Sequence, residues 1–394
     1  MSLASPALAQ HSPAPVLGQT WESHRGEALG DGSRSKWGPS VSRLLSTRLS
    51  AADLLALRAA LVPGEAGHDA YRRWAATTDL ETLDFGTLRL IPLIAAAAES
   101  HGVPADDPLL TRLRGIAKLG WLTSQFEVGH ALRDAHVVLD AGIPLLATKG
   151  LAVLALSEVD LARRPMDDVD LTVHPADANE ALRILATLGY RPVPWIASTP
   201  MWQRHGPTWF LEHFHSIDLA NDAGIKIDLH WHPMSSRPTE PVTTHLWEGS
   251  VSTVVEGLAC QAESAPDALV HAIIHAQFDD GVGVRWAADV VILLRAGGEQ
   301  FDWARLIETA HVCAASAVVA DALGVVAGHL GVQVPPEVWR FLATQRRAER
   351  LAVAVQPATD FLALHRPALA TTLRRPGQGV AILTRHLSGR QSDH

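Results

Sequence analysis

Residues 163–173 read RRPMDDVDLTV: three aspartates fall within four positions and run straight into an apolar stretch. Carboxylates this close repel one another, and burying them costs on the order of several kcal/mol per charge unless a cation compensates. In extended chain, successive side chains alternate faces, so Asp168 and Asp170 project to one side while Val169, Leu171 and Val173 project to the other. Two readings follow. The stretch is a solvated turn ahead of a strand, or it opens a buried strand whose paired carboxylates share a divalent cation.

The rest of the chain decides what surrounds that strand. With 394 residues, 47% of them hydrophobic, there is more chain than one ordinary domain uses and enough to bury a sizeable core. Residues 1–40 mix Ser, Gly, Pro and isolated charges without periodicity and read as a disordered tail. ASPALAQ at 4–10 lacks the basic and apolar regions of a signal peptide. A helical region covers 41–117. Leu119, Leu122, Phe126, Leu132, Ala135 and Leu139 then recur at steps of three to four residues or their multiples, a helical pattern stopped by Gly142 and Pro144.

From 143 to about 233, short strand-like runs (IPLLATKG, DVDLTVH, RPVPW, EHFHSIDLA, GIKIDLHWH) surround one clear helix, PADANEALRILATLGY. This gives an α/β core at 118–250. A helical domain follows at 251–385, with a clear pattern from PDALVHAIIHAQF onward and Pro266 suited to a first turn. Residues 386–394 read as a disordered tail. The apolar run from 315 is interrupted by Asp321 and His329, so it reads as a buried helix and not a membrane span. The expected class is α+β: a small mixed sheet flanked by N-terminal and C-terminal helical regions.

Charge and motif content narrow the chemistry. A net charge of −9 argues against bulk binding of nucleic acid or an anionic membrane. The two cysteines, Cys260 and Cys313, form no CxxC pair, so a disulfide framework and a thiolate zinc site are both unsupported and a reducing cytoplasm fits best. There is no GxxxxGK[ST], no GxGxxG after a strand and no GxSxG. The 12 tryptophans are scattered and read as packing.

Three further features bear on the aspartates. ATKG at 147–150 ends one strand-like run and opens a helix, so Gly150 lies at a strand-to-helix turn where backbone N–H groups and Lys149 can meet a phosphate; an ordinary turn with a solvated lysine is the alternative. IKIDLHW puts Asp228 in a strand whose other face carries Ile225, Ile227 and Leu229, either as a site residue or as a hydrogen-bond partner. Arg164 is a candidate phosphate contact or a surface arginine. If ANDAG turns a hairpin with Ala220 opposite Ile225, His215 faces His230, His213 faces His232, and all four share the Asp228 face. Such a cluster suits a transition metal. His271 and His275 have i,i+4 spacing, but position 272 is alanine, so HExxH is absent and the pair is assigned to a helix–sheet interface.

The string from 146 to 190, LATKGLAVLAL through RRPMDDVDLTVHPADANEALRILATLGY, resembles the uncharacterised nucleotidyltransferase family of the DNA polymerase β-like superfamily. IDLHWHP at 227–233 resembles its third-carboxylate strand. The segment 267–310, with His275, Arg285, Trp286, Asp289, Asp302 and Trp303, resembles the helices that follow. The likeness spans about 118–310.

It implies a nucleotidyltransferase core in which Asp168 and Asp170 hold Mg²⁺. Asp228 completes the site by binding a second ion or activating the incoming hydroxyl. Gly150 would admit the triphosphate backbone, Lys149 would neutralise it, and Arg164 would assist. Many relatives carry a Gly-Ser pair where this chain has Lys149-Gly150 followed by Leu151. The implied reaction moves a nucleoside monophosphate from ATP or another NTP to a hydroxyl or phosphate on a small molecule, peptide or protein, with release of pyrophosphate. Two alternatives stand beside it: a non-catalytic nucleotide-binding or antitoxin-like module of the same fold, and a histidine-rich metal-dependent hydrolase.

Overall fold

The computed structural model describes residues 45–234, 239–278 and 283–343. The expected tails at 1–40 and 386–394, and the helical domain beyond 343, lie outside the described residues. Helices α1 (Ala51–Leu61), α2 (Gly64–Thr77), α3 (Phe85–Leu88), α4 (Ile91–Ser100) and α5 (Pro108–Asp140) precede the first strand. Local chemistry marks their ends. Ser50 and Asp53 form a reciprocal capping box at the start of α1, and Asp107 caps α5 through the Leu110 N–H. Gly142, at φ 84, follows the end of α5 where a left-handed residue is needed.

The sheet is built from β1 (Leu146–Ala147), β2 (Val169–Thr172), β3 (Arg191–Pro192), β4 (Ser216–Ala220), β5 (Lys226–His230), β6 (Val251–Val255) and β7 (Leu258–Ala262). Among the described residues their order is β3-β4-β5-β2-β1-β7-β6. The β2–β5 and β1–β7 pairs are parallel and the others antiparallel, so the sheet is mixed. Helices α6 (Lys149–Leu156), α7 (Ala178–Thr187), α8 (Pro194–Ala197), α9 (Pro200–His213) and α10 (Glu240–Glu248) connect these strands. The helices α11 (Ala265–Phe278), α12 (Arg285–Gly297), α13 (Trp303–Val312), α14 (Ser316–Leu330) and α15 (Pro336–Ala343) follow.

Two hydrophobic cores result. One packs the apolar face of the sheet (Leu171, Ile227, Leu229) against α5, α6 and α7 through Leu132, Leu151 and Leu185. The other joins the helices on either side of the sheet segment in sequence, for example Leu57 and Ile94 with Ile273, Val291 and Leu323. The N-terminal and C-terminal helices that flank the sheet segment in sequence therefore share one core. Helix α5, with 33 residues and a length of about 50 Å, belongs to both: Leu110 and Leu113 enter the helical core, Val128 and Leu132 the sheet core.

Several local expectations are corrected. The sheet continues past residue 250, because Glu256 (φ 48) and Gly257 (φ 87) form a tight turn with both central residues left-handed, closing the β6–β7 hairpin. Of the expected strand EHFHSIDLA, Glu212 and His213 instead end α9, which is broken at Gly206 and Pro207, and the strand itself begins at Ser216. On α5, Leu119, Leu122 and Phe126 are 41%, 50% and 54% exposed, whereas Leu132 and Ala135 are buried. Mid-helix the inward face is polar and small: Ser124 exchanges hydrogen bonds with the Met166 backbone, and Gly120 faces Pro165. The run from 315 is the buried helix α14, and no helix among the described residues is long and apolar enough to cross a membrane.

Candidate active site

Strand pairing assembles the acidic face. Asp170 on β2 lies opposite Asp228 on β5, and Asp228 lies opposite Asp218 on β4, so three carboxylates form a row across adjacent strands. His230, two residues past Asp228, continues the same face opposite Thr172. Asp168 stands one residue before β2, in phase with Asp170. The opposite face of these strands is apolar and buried through Val169, Leu171, Ile217, Leu219, Ile227 and Leu229.

Two cationic groups sit among these acids. Lys149 Nζ donates to Asp170 Oδ1 at 2.6 Å and lies 3.6 Å from Asp228 Oδ2. His230 Nε2 is 2.9 Å from Asp228 Oδ2 and 3.3 Å from Asp170 Oδ1. Burial alone would raise Asp170 and Asp228. The Lys149 ammonium on Asp170, and His230 then Lys149 on Asp228, outweigh it and hold both below the usual carboxylate range. Burial would lower His230, but Asp228 raises it to about 9. Burial, with Asp170 and Asp167 adding to it, pushes Asp168 up to about 7; burial and Asp228 do the same to Asp218.

The loop before β2 is held rigidly. Arg164 donates from Nε and NH2 to the two oxygens of Asp289 on α12, both at 2.8 Å, with both side chains buried. Arg285 donates to the Pro165 carbonyl at 2.7 Å, and Arg89 to Asp167 at 2.6 Å. Arg164 is thus no surface arginine; its fork joins the sheet segment to the helical one. A Cβ on Gly150 would meet Arg164 NH1 at 2.4 Å and Met166 Sδ at 2.5 Å. The close approach that Gly150 permits is therefore to this clamp. Lys149 lies at the expected strand-to-helix turn, but its ammonium is turned onto the carboxylates.

The four-histidine cluster does not form. Ala220 pairs with Lys226 and Ser216 with His230, one residue away from the expected register. The reason is turn chemistry. Asn221 accepts from the Ala223 and Ile225 N–H groups and pairs through its backbone with Ile225, leaving a shorter loop with Gly224 at φ 79. His213 instead bonds the Trp209 carbonyl and stacks on its ring, while His232 pairs with the Thr243 hydroxyl. His215 alone stays near His230, with ring centroids 5.6 Å apart, and burial followed by His230 lowers it to about 3. The hydrolase built on that cluster loses its basis. His271, by contrast, sits on α11 against Glu263 beside β7, at the expected helix–sheet interface.

Asp218 escaped the sequence reading because the assumed register set it opposite Ile227. Among the described residues, the group able to hold a metal is Asp170, Asp228 and His230, whose ligand atoms all lie within 4.8 Å of one another.

A family model described as "Uncharacterised nucleotidyltransferase" matches residues 87–331, which include every site residue named above. The chain belongs to this nucleotidyltransferase family. The nucleotidyltransferase match takes in the whole sheet and extends through α14. Among solved structures, the antibiotic-resistance factor ANT(2'')-Ia is similar at 14% identity and a TM-score of 0.30, covering 46% of this chain and 89% of its own. No curated protein matches the sequence.

Proposed function

We propose that this chain is a divalent-metal-dependent nucleotidyltransferase. It would transfer a nucleoside monophosphate from ATP or another NTP to a hydroxyl or phosphate of a small-molecule, peptide or protein acceptor. The observation that carries this reading is the direct pairing of Asp170 with Asp228 beneath two cationic side chains. Two positive groups balance two carboxylates here, and a divalent cation offers the same charge. Asp228 Oδ1 is buried with no hydrogen-bond partner among the described residues, an acceptor that the two cationic groups leave unused.

The residues fit Mg²⁺ ions held by Asp170 and Asp228 with Asp168 beside them. When bound, the metal supplies charge neutralisation on the phosphates and on the attacking and leaving oxygens. The chain's own groups do the rest. A bond forms between the acceptor oxygen and the α-phosphorus as the bond to the pyrophosphate oxygen breaks. Asp218, on β4 directly opposite Asp228, is the carboxylate placed to take up the proton of a hydroxyl acceptor. Lys149, released from Asp170, neutralises the triphosphate.

A thermal-shift panel with ATP, GTP, CTP and UTP, each with Mg²⁺ or EDTA, tests the reading beside Asp170→Asn. A magnesium-dependent rise in melting temperature with one nucleotide, lost in the variant, is expected. No rise with any nucleotide would overturn it. Binding without release of pyrophosphate, over a range of acceptors, would favour the non-catalytic module of the same fold.

A further inference from the structure

We propose that His230 is itself a metal ligand, its Nε2 joining Asp170 and Asp228 at one position and giving that position a preference for Mn²⁺ over Mg²⁺. This rests on the reading of the acidic face as a metal site, and it adds a nitrogen to an all-oxygen ligand set.

Position comes first. His230 ends β5, and its side chain is 1% exposed, so the imidazole is held in place by the sheet and cannot swing aside. Its Nε2 points between the two carboxylates, within 2.9 Å of one and 3.3 Å of the other. Lys149 shares the same space with Nζ 3.5 Å from Nε2, but it reaches there on a long, rotatable stem. An arriving cation can displace the ammonium; it must meet the imidazole, which gives up its Nε2 proton to solvent as the metal–nitrogen bond forms.

The second observation concerns the other ring nitrogen. His230 Nδ1 and the Thr172 hydroxyl are both buried without hydrogen-bond partners among the described residues, and Thr172 and His230 are direct neighbours in the β2–β5 pairing. Buried polar atoms are rarely left in this state. Thr172 is the neighbouring group whose oxygen would accept from Nδ1–H after a turn of its side chain, which would hold the ring with Nε2 toward the carboxylates. Ligating histidines are characteristically held through their second nitrogen in this way.

Donor chemistry supplies the preference. Mg²⁺ favours hard oxygen ligands and retains its waters, whereas imidazole raises affinity for first-row transition metals. One nitrogen with two carboxylates suits Mn²⁺, which accepts both donor types.

The test uses the full chain and reads metal binding directly. Mn²⁺ is titrated with detection of free ion by electron paramagnetic resonance, and pulsed measurements on the bound ion report coupling to an imidazole nitrogen. We expect that coupling in the wild-type protein. In His230→Gln it disappears and Mn²⁺ affinity falls on the order of 10-fold or more, while Mg²⁺ affinity, read by competition, changes far less. Bound Mn²⁺ without nitrogen coupling in the wild-type protein overturns the inference, and needs no variant that might misfold. Asp170→Asn separates the two levels. If it abolishes Mn²⁺ binding while the wild-type ion lacks nitrogen coupling, only the role of His230 fails. If it binds Mn²⁺ unchanged, the carboxylate site fails as well.

Discussion

The Lys149 ammonium lies 2.6 Å from Asp170 Oδ1, and it is delivered there by a residue whose own backbone is left-handed, at φ 48. Such a conformation costs a non-glycine residue about 1–3 kcal/mol and persists where its surroundings enforce it. Thr148 links β1 to α6 as the helix N-cap, and Lys149, the first residue of that helix, sets its side chain on the acidic face. Lys149 therefore acts as an internal counter-ion for carboxylates that strand pairing forces together.

Replacing Lys149 with Met removes that counter-ion while keeping the stem. Breaking a buried pair costs about 3–5 kcal/mol, so the variant should melt well below the wild type in EDTA. Saturating divalent cation should recover most of the difference. Equal losses with and without metal would argue that Lys149 serves only as packing.

Stability of the metal-free protein should fall as pH rises. His230 has a folded pKa of about 9, above its ordinary value near 6.5, so its contribution is full below about 6.5 and is lost as pH climbs through about 9. Asp168 and Asp218, raised to about 7, act in the same sense at lower pH, each losing its contribution as pH rises through that value. Asp170 and Asp228 act oppositely, losing their contribution only in strong acid. Melting temperatures in EDTA should decline from pH 6 to pH 9.5, with the upper part of the decline missing in His230→Gln.

The Arg164–Asp289 fork should be a structural coupling. Asp289→Ala leaves a buried guanidinium unpaired and should cost about 3–5 kcal/mol in denaturant unfolding. Gly150→Ala drives a methyl into Arg164 and Met166 and should cost about 1–3 kcal/mol. Because both substitutions act on the same guanidinium, combining Gly150→Ala with Arg164→Ala should cost less than the sum of the two. Strict additivity would separate Gly150 from the clamp.

The carboxylates should divide by role. Asp170→Asn or Asp228→Asn should abolish both metal binding and transfer. Asp218→Asn should lower the transfer rate on the order of 100-fold or more while metal binding survives. Isothermal titration with Mn²⁺ beside pyrophosphate release distinguishes the two outcomes.

Local pattern alone determined that this chain is helical, then mixed, then helical, and that Asp168, Asp170 and Asp228 lead or occupy strands with a buried opposite face. Alternation and capping are properties of neighbouring residues, so they can be read without knowing the fold. The tertiary structure decided what those residues face. Whether β4 pairs with β5 at Ser216–His230 or one residue away depends on the Asn221 turn, and that single step brings Asp218 opposite Asp228, while His213 is held at the end of α9 and His232, past β5, by its bond to Thr243. The exposure of Leu122 and Phe126 likewise depends on what packs against the middle of α5, where Ser124 holds Met166. Arg164 reads as a phosphate contact or a surface residue until Asp289, far along the chain, arrives beside it and takes both ends of its fork. Periodicity is local; register, burial and ion pairing between distant segments are set by the packing of the whole chain.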